Sequence, residues 1–396
     1  MASVLLVTIP PFAGGVPYKA RVLARHLREL GHSVTVAYYA TYSDHPELVA
    51  TSWQAVFGRR PLVSEGQCFG DFPSLAVGCA FPELEFTYYR PSPRWAKIIA
   101  AHDRHIAVGG TVLVSNPLSR MGLPHLVWCA STMLEDRADR RRAMPPMRRI
   151  VDRFLIGPVQ RKMEKEILHG PGHFMAISGY TKNTLLAAGG IEERFTRLPI
   201  PMDMNAYRPP REAPRPGVIG FAGRVGDPRK NLPLLFDALA ILLKQGRDVE
   251  LHLTGEATAE LNRLAARTGV SEKVHWRGWL DDDELTEFFR SIDVFAIPSF
   301  QEGLNIAGLQ AMASGVPVVS TRCGGPEDYV IDDATGYLCD SGSAPFADRI
   351  DKIITNRPLR DRLGATARQK VAEDFSYDVF KRQLSKAWQS VWRDQP

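Results

Sequence analysis

Two stretches of this chain constrain its fold more than any other feature: Pro298–Val319, PSFQEGLNIAGLQAMASGVPVV, and Gly223–Asn231, GRVGDPRKN. In the first, a strand pattern over Asp293–Pro298 runs into Glu302-Gly303, then into a helical pattern that Gly315 and Pro317 stop. In the second, the apolar run Val218–Ala222 ends at Gly223, delivers Arg224, and reaches Lys230 just before a helix opened by Asn231 and Pro233. Strands that feed helices through short loops belong to β-α-β units, whose parallel strands form a sheet covered on both faces. The loops bring cations and backbone N–H groups to helix N-termini, with one carboxylate at the edge. That combination suits a pyrophosphate carrying a sugar.

The alternation occurs twice. Val4–Thr8 reads as a buried strand. It is followed by a helix with the apolar stripe Val22, Leu23, Leu27 and Leu30, stopped by Gly31, and then by the strand Val34–Tyr39. Further strands are expected at Thr111–Ser115, Leu126–Cys129 and Phe174–Ile177. Leu198–Pro216 then carries six prolines, which predicts a stiff connector outside any core. After it come strand patterns at Val249–Leu253, Lys273–Trp276, Val294–Ile297 and Val316–Ser320, with the clearest helices at Leu234–Lys244 and Asp283–Phe289. A chain of 396 residues exceeds what one core usually fills, so two domains are expected. The fold class is α/β: two doubly wound, Rossmann-like domains facing each other across a cleft, with ligands at the carboxyl ends of the strands. The last helix, Tyr377–Trp392, has Phe380, Leu384, Trp388 and Val391 on one face. Two dockings stay open for it, on the second domain or back on the first.

Several function classes are disfavoured. The ten His residues show no H-E-x-x-H grouping, and His169 and His173 stand four apart only in the glycine- and proline-rich HGPGH, so no tightly held protein metal is expected. The five Cys form no C-x-x-C pair, which favours reduced thiols over a disulfide framework. Gly220-x-x-Gly223-x-x-Gly226 is not G-x-G-x-x-G, and no such fingerprint follows Val4–Thr8, which argues against a nicotinamide or flavin oxidoreductase. No apolar run approaches the length of a membrane span, and Met1 leads directly into a strand without a basic leader, so a cytoplasmic protein is expected.

Each site residue has a bland reading beside the functional one. Arg224 and Lys230 could be solvated loop cations, and Glu302 a simple helix cap. Against the cap, Gly303 follows directly and permits close approach of a ligand to the backbone. Gln310 lies about 7–8 Å further along the helix, roughly the span from a β-phosphate to a ribose.

The C-terminal half resembles the family-4 retaining nucleotide-sugar glycosyltransferases of the GT-B fold. The residues that carry the likeness are GR-x5-K, VHWRGWLDDDELTEFFRSIDVFAIPS and PS-x2-EG-x6-QAMASG-x-PVV; the first half agrees more loosely, through Pro11–Gly15, RHLRELGHSVTV and PIPMDMNAYRP. The resemblance implies an N-terminal acceptor-side domain over 1–205, completed by 377–396 if the last helix crosses back, and a nucleotide-sugar-binding domain over 206–376. It implies that Arg224 and Lys230 bind the donor diphosphate and that Glu302 contacts the transferred sugar. Gly223, with the N–H groups of Gly303, Leu304 and Asn305, would lie at the phosphates, and Gly14 or Gly15 would let the first domain approach them. The Gly278–Leu280 loop, with Trp279 and Leu280, would lie against the base, and Gln310 at the ribose. The donor is a substrate, and no cofactor is implied.

Two departures stand out. The second Glu of the family's E-x7-E signature is Gln310 here, and PHLVWCAST places Ala130 or Ser131 about where many members carry an acceptor-side His. No catalytic base is therefore assigned. The expected activity is transfer of a hexose from a nucleoside diphosphate to a glycan, lipid or small-molecule hydroxyl, with retention. The alternatives are a GT-B glycoside phosphorylase and a non-catalytic nucleotide-sugar binder.

The net charge of +5 is uneven: Arg137–Lys165 holds ten Lys and Arg against three acids. This block reads either as a solvated helix face or as a peripheral contact with an anionic membrane. Nucleic acid is disfavoured, because the block nearly lacks stacking aromatics.

Overall fold

The computed structural model describes residues 1–10, 14–210 and 214–396, with the side chains at 139, 140, 142 and 143 outside that description. Parts of two sequence readings, the loop Pro11–Gly15 and the proline-rich span Leu198–Pro216, therefore lie outside the described residues at 11–13 and 211–213. The chain separates into two compact units, Met1–Leu198 with Lys381–Pro396, and Pro199–Phe380. These divisions fall a few residues from the 205/206 and 376/377 boundaries read from the sequence.

The first unit is built on eight strands: β1 (Ser3–Thr8), β2 (Ser33–Tyr39), β3 (Val63–Cys68), β4 (Phe72–Val77), β5 (Arg104–Val108), β6 (His125–Cys129), β7 (Gly172–Ala176) and β8 (Phe195–Arg197). Their order is β3-β4-β2-β1-β5-β6-β7-β8. All neighbours pair in parallel except β3, which turns back antiparallel on β4. Strands buried on both faces read as near-continuous apolar runs, as Val4–Val7 and Ile106–Val108 do. The strand expected at Thr111–Ser115 is instead a 3-10 turn, Val112–Ser115, leading into the helix Asn116–Arg120. Its β-branched run mimics a strand, but Pro117 sets a helix start there and the apolar side chains fill the core beneath the sheet.

The second unit has six parallel strands: β9 (Val218–Phe221), β10 (Glu250–Leu253), β11 (Val274–Trp276), β12 (Val294–Ile297), β13 (Val318–Thr321) and β14 (Gly336–Cys339), ordered β11-β10-β9-β12-β13-β14. The proline-rich span is a correction to the sequence reading, since its first half is core. Leu198, Ile200, Met202 and Tyr207 are buried. The Met202 N–H donates to Phe375 O (2.7 Å), and the Arg368 guanidinium donates to the carbonyls of Tyr207 (2.6 Å) and Met204 (2.9 Å). Prolines remove donors from a segment, but they do not stop its intervening apolar residues from packing.

Of the two dockings open to the last helix, the second part packs in the first unit. Trp388 lies 5.2 Å from the His32 ring, Arg104 pairs with Asp394 (2.9 Å), and Ser390 Oγ is 3.1 Å from His173 Nδ1. The basic block is not uniformly solvated either. Arg137 is buried and pairs with Asp152 and Glu85; Arg141 reaches Asp152 (2.7 Å) and Arg148 reaches Glu85 (2.7 Å). Among the described residues, no helix is long and apolar enough to cross a membrane.

Candidate functional site

In the second sheet the chain leaves β9 toward β10 and β11 on one side, then returns to β12 on the other. The loops after β9 and β12 thus diverge at the point where strand order reverses, where open α/β sheets form a crevice. Loop 223–231 and loop 298–305 are those two loops. They are stitched together: Asn231 Nδ2 donates to Pro298 O (3.1 Å), Phe300 N to Arg229 O (2.8 Å), and Lys230 Nζ to Glu302 Oε1 (2.7 Å). The helices that follow, Leu232–Lys244 and Ile306–Ala313, both start from a left-handed asparagine, Asn231 (φ 48°) and Asn305 (φ 66°). Asparagine tolerates that conformation better than other residues with a Cβ, and a β-branched residue would strain it.

Glu302 sits between these elements, 9% exposed. Three donors converge on its Oε1: Lys230 Nζ, Ser299 Oγ (2.7 Å) and Asn305 Nδ2 (3.0 Å); none of the three goes to Oε2. The helix cap is Asn305, whose Oδ1 accepts from Gly308 N (2.9 Å), so the reading of Glu302 as a cap is corrected. The backbone of Glu302 is gripped on both sides, its N–H by Cys323 O (2.7 Å) and its carbonyl by Gly325 N (2.8 Å). A Cβ on Gly325 would fall 2.4 Å from Gly303 O and 2.5 Å from Leu304 Cα, so only glycine lets the two loops approach this closely.

The remaining sequence-derived residues fall around this pair. Gly223 lies against the end of Lys230: a Cβ there would be 3.4 Å from Lys230 Cε. Arg224 extends into solvent with its side chain 68% exposed and its guanidinium 3.4 Å from Asp227 Oδ2. Asp227 is itself forked by Arg229 (2.6 Å at the shortest contact); burial alone would raise its pKa, but that pairing holds it below the usual carboxylate range. The Gly278–Leu280 turn joins the same cluster through Gly255 N to Gly278 O (2.6 Å) and Gly223 N to Thr254 Oγ1 (3.2 Å). There Trp279 is 74% exposed and Leu280 half-buried. Gln310 is buried, and its amide nitrogen donates to the Tyr207 hydroxyl (2.6 Å), so Oε1 is the amide atom left to accept from a hydroxyl. A cavity of about 850 Å³ flanks this loop, bounded by Val225, Pro228, Asn231, Thr258, Arg263 and Arg267.

Gly14 and Gly15 belong to the first unit, where Gly14 (φ 109°) precedes the helix Gly15–Glu29 and a Cβ on it would meet open space. In that sheet β1 and β5 are the strands at the reversal. A cavity of about 230 Å³ opens beyond their carboxyl ends, lined by Ile9, Thr41, Gly110, Tyr88, Asp136 and Arg137. Sequence reading passed over Ser299, the Asp227–Arg229 fork and Gly325. Ser299 had a signal, three residues before Glu302; Gly325 had none, because its role depends on a contact 22 residues away.

A profile for "Glycosyl transferases group 1" matches residues 205–370. The chain is 28% identical over 392 residues to an MMP α-(1→4)-mannosyltransferase of Mycolicibacterium hassiacum, covering 92% of each chain. It is 25% identical over 413 residues to a GDP-mannose-dependent α-(1-6)-phosphatidylinositol monomannoside mannosyltransferase of Mycobacterium tuberculosis, covering 97% of each. Its fold is similar to sucrose-phosphate synthase of Thermosynechococcus elongatus (TM-score 0.76, 16% identity, 99% of this chain and 100% of that one). It is also similar to HepE of Anabaena in complex with UDP (TM-score 0.73, 17% identity, 98% and 100%).

Proposed function

We propose that this chain, a member of the family-4 (group 1) nucleotide-sugar glycosyltransferases of the GT-B fold, transfers a hexose with retention of anomeric configuration, using Lys230 and Arg224 on the donor diphosphate and Glu302 on the sugar. The observation that carries this reading is the Lys230–Glu302 contact of 2.7 Å at the strand reversal. It sets a cation for phosphate beside a carboxylate for hydroxyls, and Glu302 Oε2 is the oxygen offered to the sugar. In the reaction the acceptor oxygen bonds to the anomeric carbon on the face the diphosphate leaves. The C–O bond to phosphate breaks, and the departing phosphate oxygen takes the acceptor's proton. The protein positions both substrates and stabilises charge on the leaving group, with Lys230, Arg224 and the N-terminus of Ile306–Ala313 as its sources of positive potential.

GDP-mannose is the first donor to try, because a relative matched over 97% of its length carries that dependence in its name. The experiment is turnover and slow donor hydrolysis across GDP-, UDP- and ADP-sugars, with the product's anomeric configuration read by NMR. Glu302→Gln is expected to lower transfer far more than nucleotide affinity. Silence with every donor together with no nucleotide binding defeats the proposal, and an inverted product removes the retaining step. Release of sugar phosphate with inorganic phosphate and no nucleotide selects the phosphorylase instead. Tight nucleotide binding without turnover selects the non-catalytic binder.

An anionic membrane is the surface proposed for Pro146–Ile156. Met147 (74%) and Phe154 (73%) are exposed there beside Arg149 and Arg153, an arrangement suited to shallow insertion backed by charge. Co-sedimentation with phosphatidylserine vesicles should fall for Met147→Ser/Phe154→Ser; equal binding by parent and variant overturns this surface.

A further inference from the structure

The second sheet carries a group of side chains that the donor chemistry does not use. Glu250 and His252 are two residues apart on β10 and share one face of the sheet. His252 stands directly beside His275 of the edge strand β11 in the parallel register. The side chains converge: Glu250 Oε2 is 3.5 Å from His252 Nε2 and 3.6 Å from His275 Nε2, and one ligand atom from each residue lies within 4.8 Å of the others. His275 Nε2 is buried and has no hydrogen-bond partner, since 3.6 Å is too long for one. It is an orphaned nitrogen facing a carboxylate across a gap.

We propose that Glu250, His252 and His275 form a binding site for a divalent transition metal of the zinc type. Ligands about 2.1 Å from a tetrahedral zinc lie roughly 3.4 Å from one another, close to the two separations seen here. Two imidazoles and one carboxylate suit Zn²⁺, Ni²⁺ or Cu²⁺, whereas Mg²⁺ and Ca²⁺ favour all-oxygen sets. Arg215 engages the other carboxylate oxygen, Oε1 (3.0 Å), and leaves Oε2 to the ion. Arg277 lies at the rim with its NH2 3.1 Å from His252 Nδ1; it is exposed, so an arriving ion can displace it, and its charge opposes binding. Glu250 opens β10, and His275 is the middle residue of β11, so the site lies along these two strands, short of the carboxyl-end loops that bear Lys230 and Glu302. A metal here would clamp the edge strand to its neighbour just ahead of the Gly278–Leu280 turn.

The test is binding of Zn²⁺ to the untagged, chelator-treated full chain, read by calorimetry and by thermal unfolding, with Mg²⁺ as the control. The parent should take up one equivalent of Zn²⁺ and unfold about 5 °C higher at a hundredfold excess over Kd, while Mg²⁺ does nothing. His275→Ala should lose both effects, and Arg277→Ala should bind Zn²⁺ several-fold more tightly than the parent. Unchanged nucleotide binding without metal certifies that the variants are folded, and no readout depends on transferase activity. A parent that takes up no Zn²⁺, a His275→Ala variant that takes up as much as the parent, or an Arg277→Ala variant with no gain overturns the site.

Discussion

Both units carry a lysine at the strand reversal of their sheet, and they treat it in opposite ways. In the second unit Lys230 follows β9 and meets Glu302 at 2.7 Å, with its side chain 15% exposed. In the first, Lys19 sits in the helix after β1, is 1% exposed, and donates to Gly109 O (2.8 Å) and Trp128 O (3.1 Å). Burial pulls its pKa down to about 7, with Cys129 acting in the other direction. Glu164 in the same unit is also buried; burial pushes it up to about 7, against the opposing Met133 N–H it accepts at 2.8 Å. One unit therefore joins a lysine and a glutamate into a pair, while the other buries each apart and brings both close to losing its charge at neutral pH. A buried charge survives only beside an opposite one. Lys230 is the lysine proposed above for the donor's phosphates, whereas Lys19 ties the carbonyls of Gly109 and Trp128 together.

The largest effect expected from this contrast is on Lys230. Lys230→Met should lower kcat/KM by about 10²–10³-fold, the scale seen when a donor to developing charge is removed. Lys19→Met should leave the Kd for nucleoside diphosphate where it was and lower thermal stability, because two carbonyls lose their donor. The comparison breaks if Lys19→Met weakens nucleotide binding as much as Lys230→Met does.

The sequence carried the layout further than the site. Apolar runs, one ending at Gly223 and the other at Pro298, placed β9 and β12 and the two loops beyond them, because each strand is buried on both faces and its pattern is local. Lys230 and Glu302 were legible for the same reason, each standing at a strand–helix junction. What escaped depends on contacts distant in sequence. β3 (VSEGQC) is polar and exposed along most of its length, so only its antiparallel pairing with β4 defines it. Met202 and Tyr207 are core despite their prolines because Arg368, far along the chain, takes up the carbonyls around them. Glu250, His252 and His275 fit no short metal motif; strand register alone brings His275 to His252 across 23 residues.

A middle-sized effect should appear with pH in the first unit. Glu164 has a folded-state pKa raised above its unfolded value, so the folded state holds the extra proton between about pH 4.5 and 7. Its contribution to stability is present below that window and is lost as pH rises through it. Glu164→Gln keeps an acceptor for Met133 N–H and removes the titration. The variant should therefore be more stable than the parent at pH 8, by on the order of 2 kcal/mol, with the difference shrinking toward pH 5. Thermal unfolding at both pH values measures it; a gain that is the same at each would show that Glu164 does not titrate in this window.

The smallest effect expected is at Arg224, and it sharpens what distinguishes a closely paired, half-buried cation from an exposed one with a long contact. Lys230 is held in place by Glu302, whereas the Arg224 side chain is 68% exposed and its Asp227 contact is 3.4 Å long. An exposed guanidinium must give up side-chain freedom and hydration to grip a phosphate, and salt screens what it gains. Arg224→Ala should raise the Kd for nucleoside diphosphate by about tenfold or less, near 1 kcal/mol. The parent's Kd should also rise more steeply with KCl than the variant's, because one screened contact is gone. Arg224→Lys should recover the salt dependence but only part of the affinity, since an ammonium cannot fork two oxygens. If Arg224→Ala instead costs as much as Lys230→Met, the guanidinium folds onto the diphosphate in the bound state, and side-chain exposure without ligand is no guide to a cation's share of the binding.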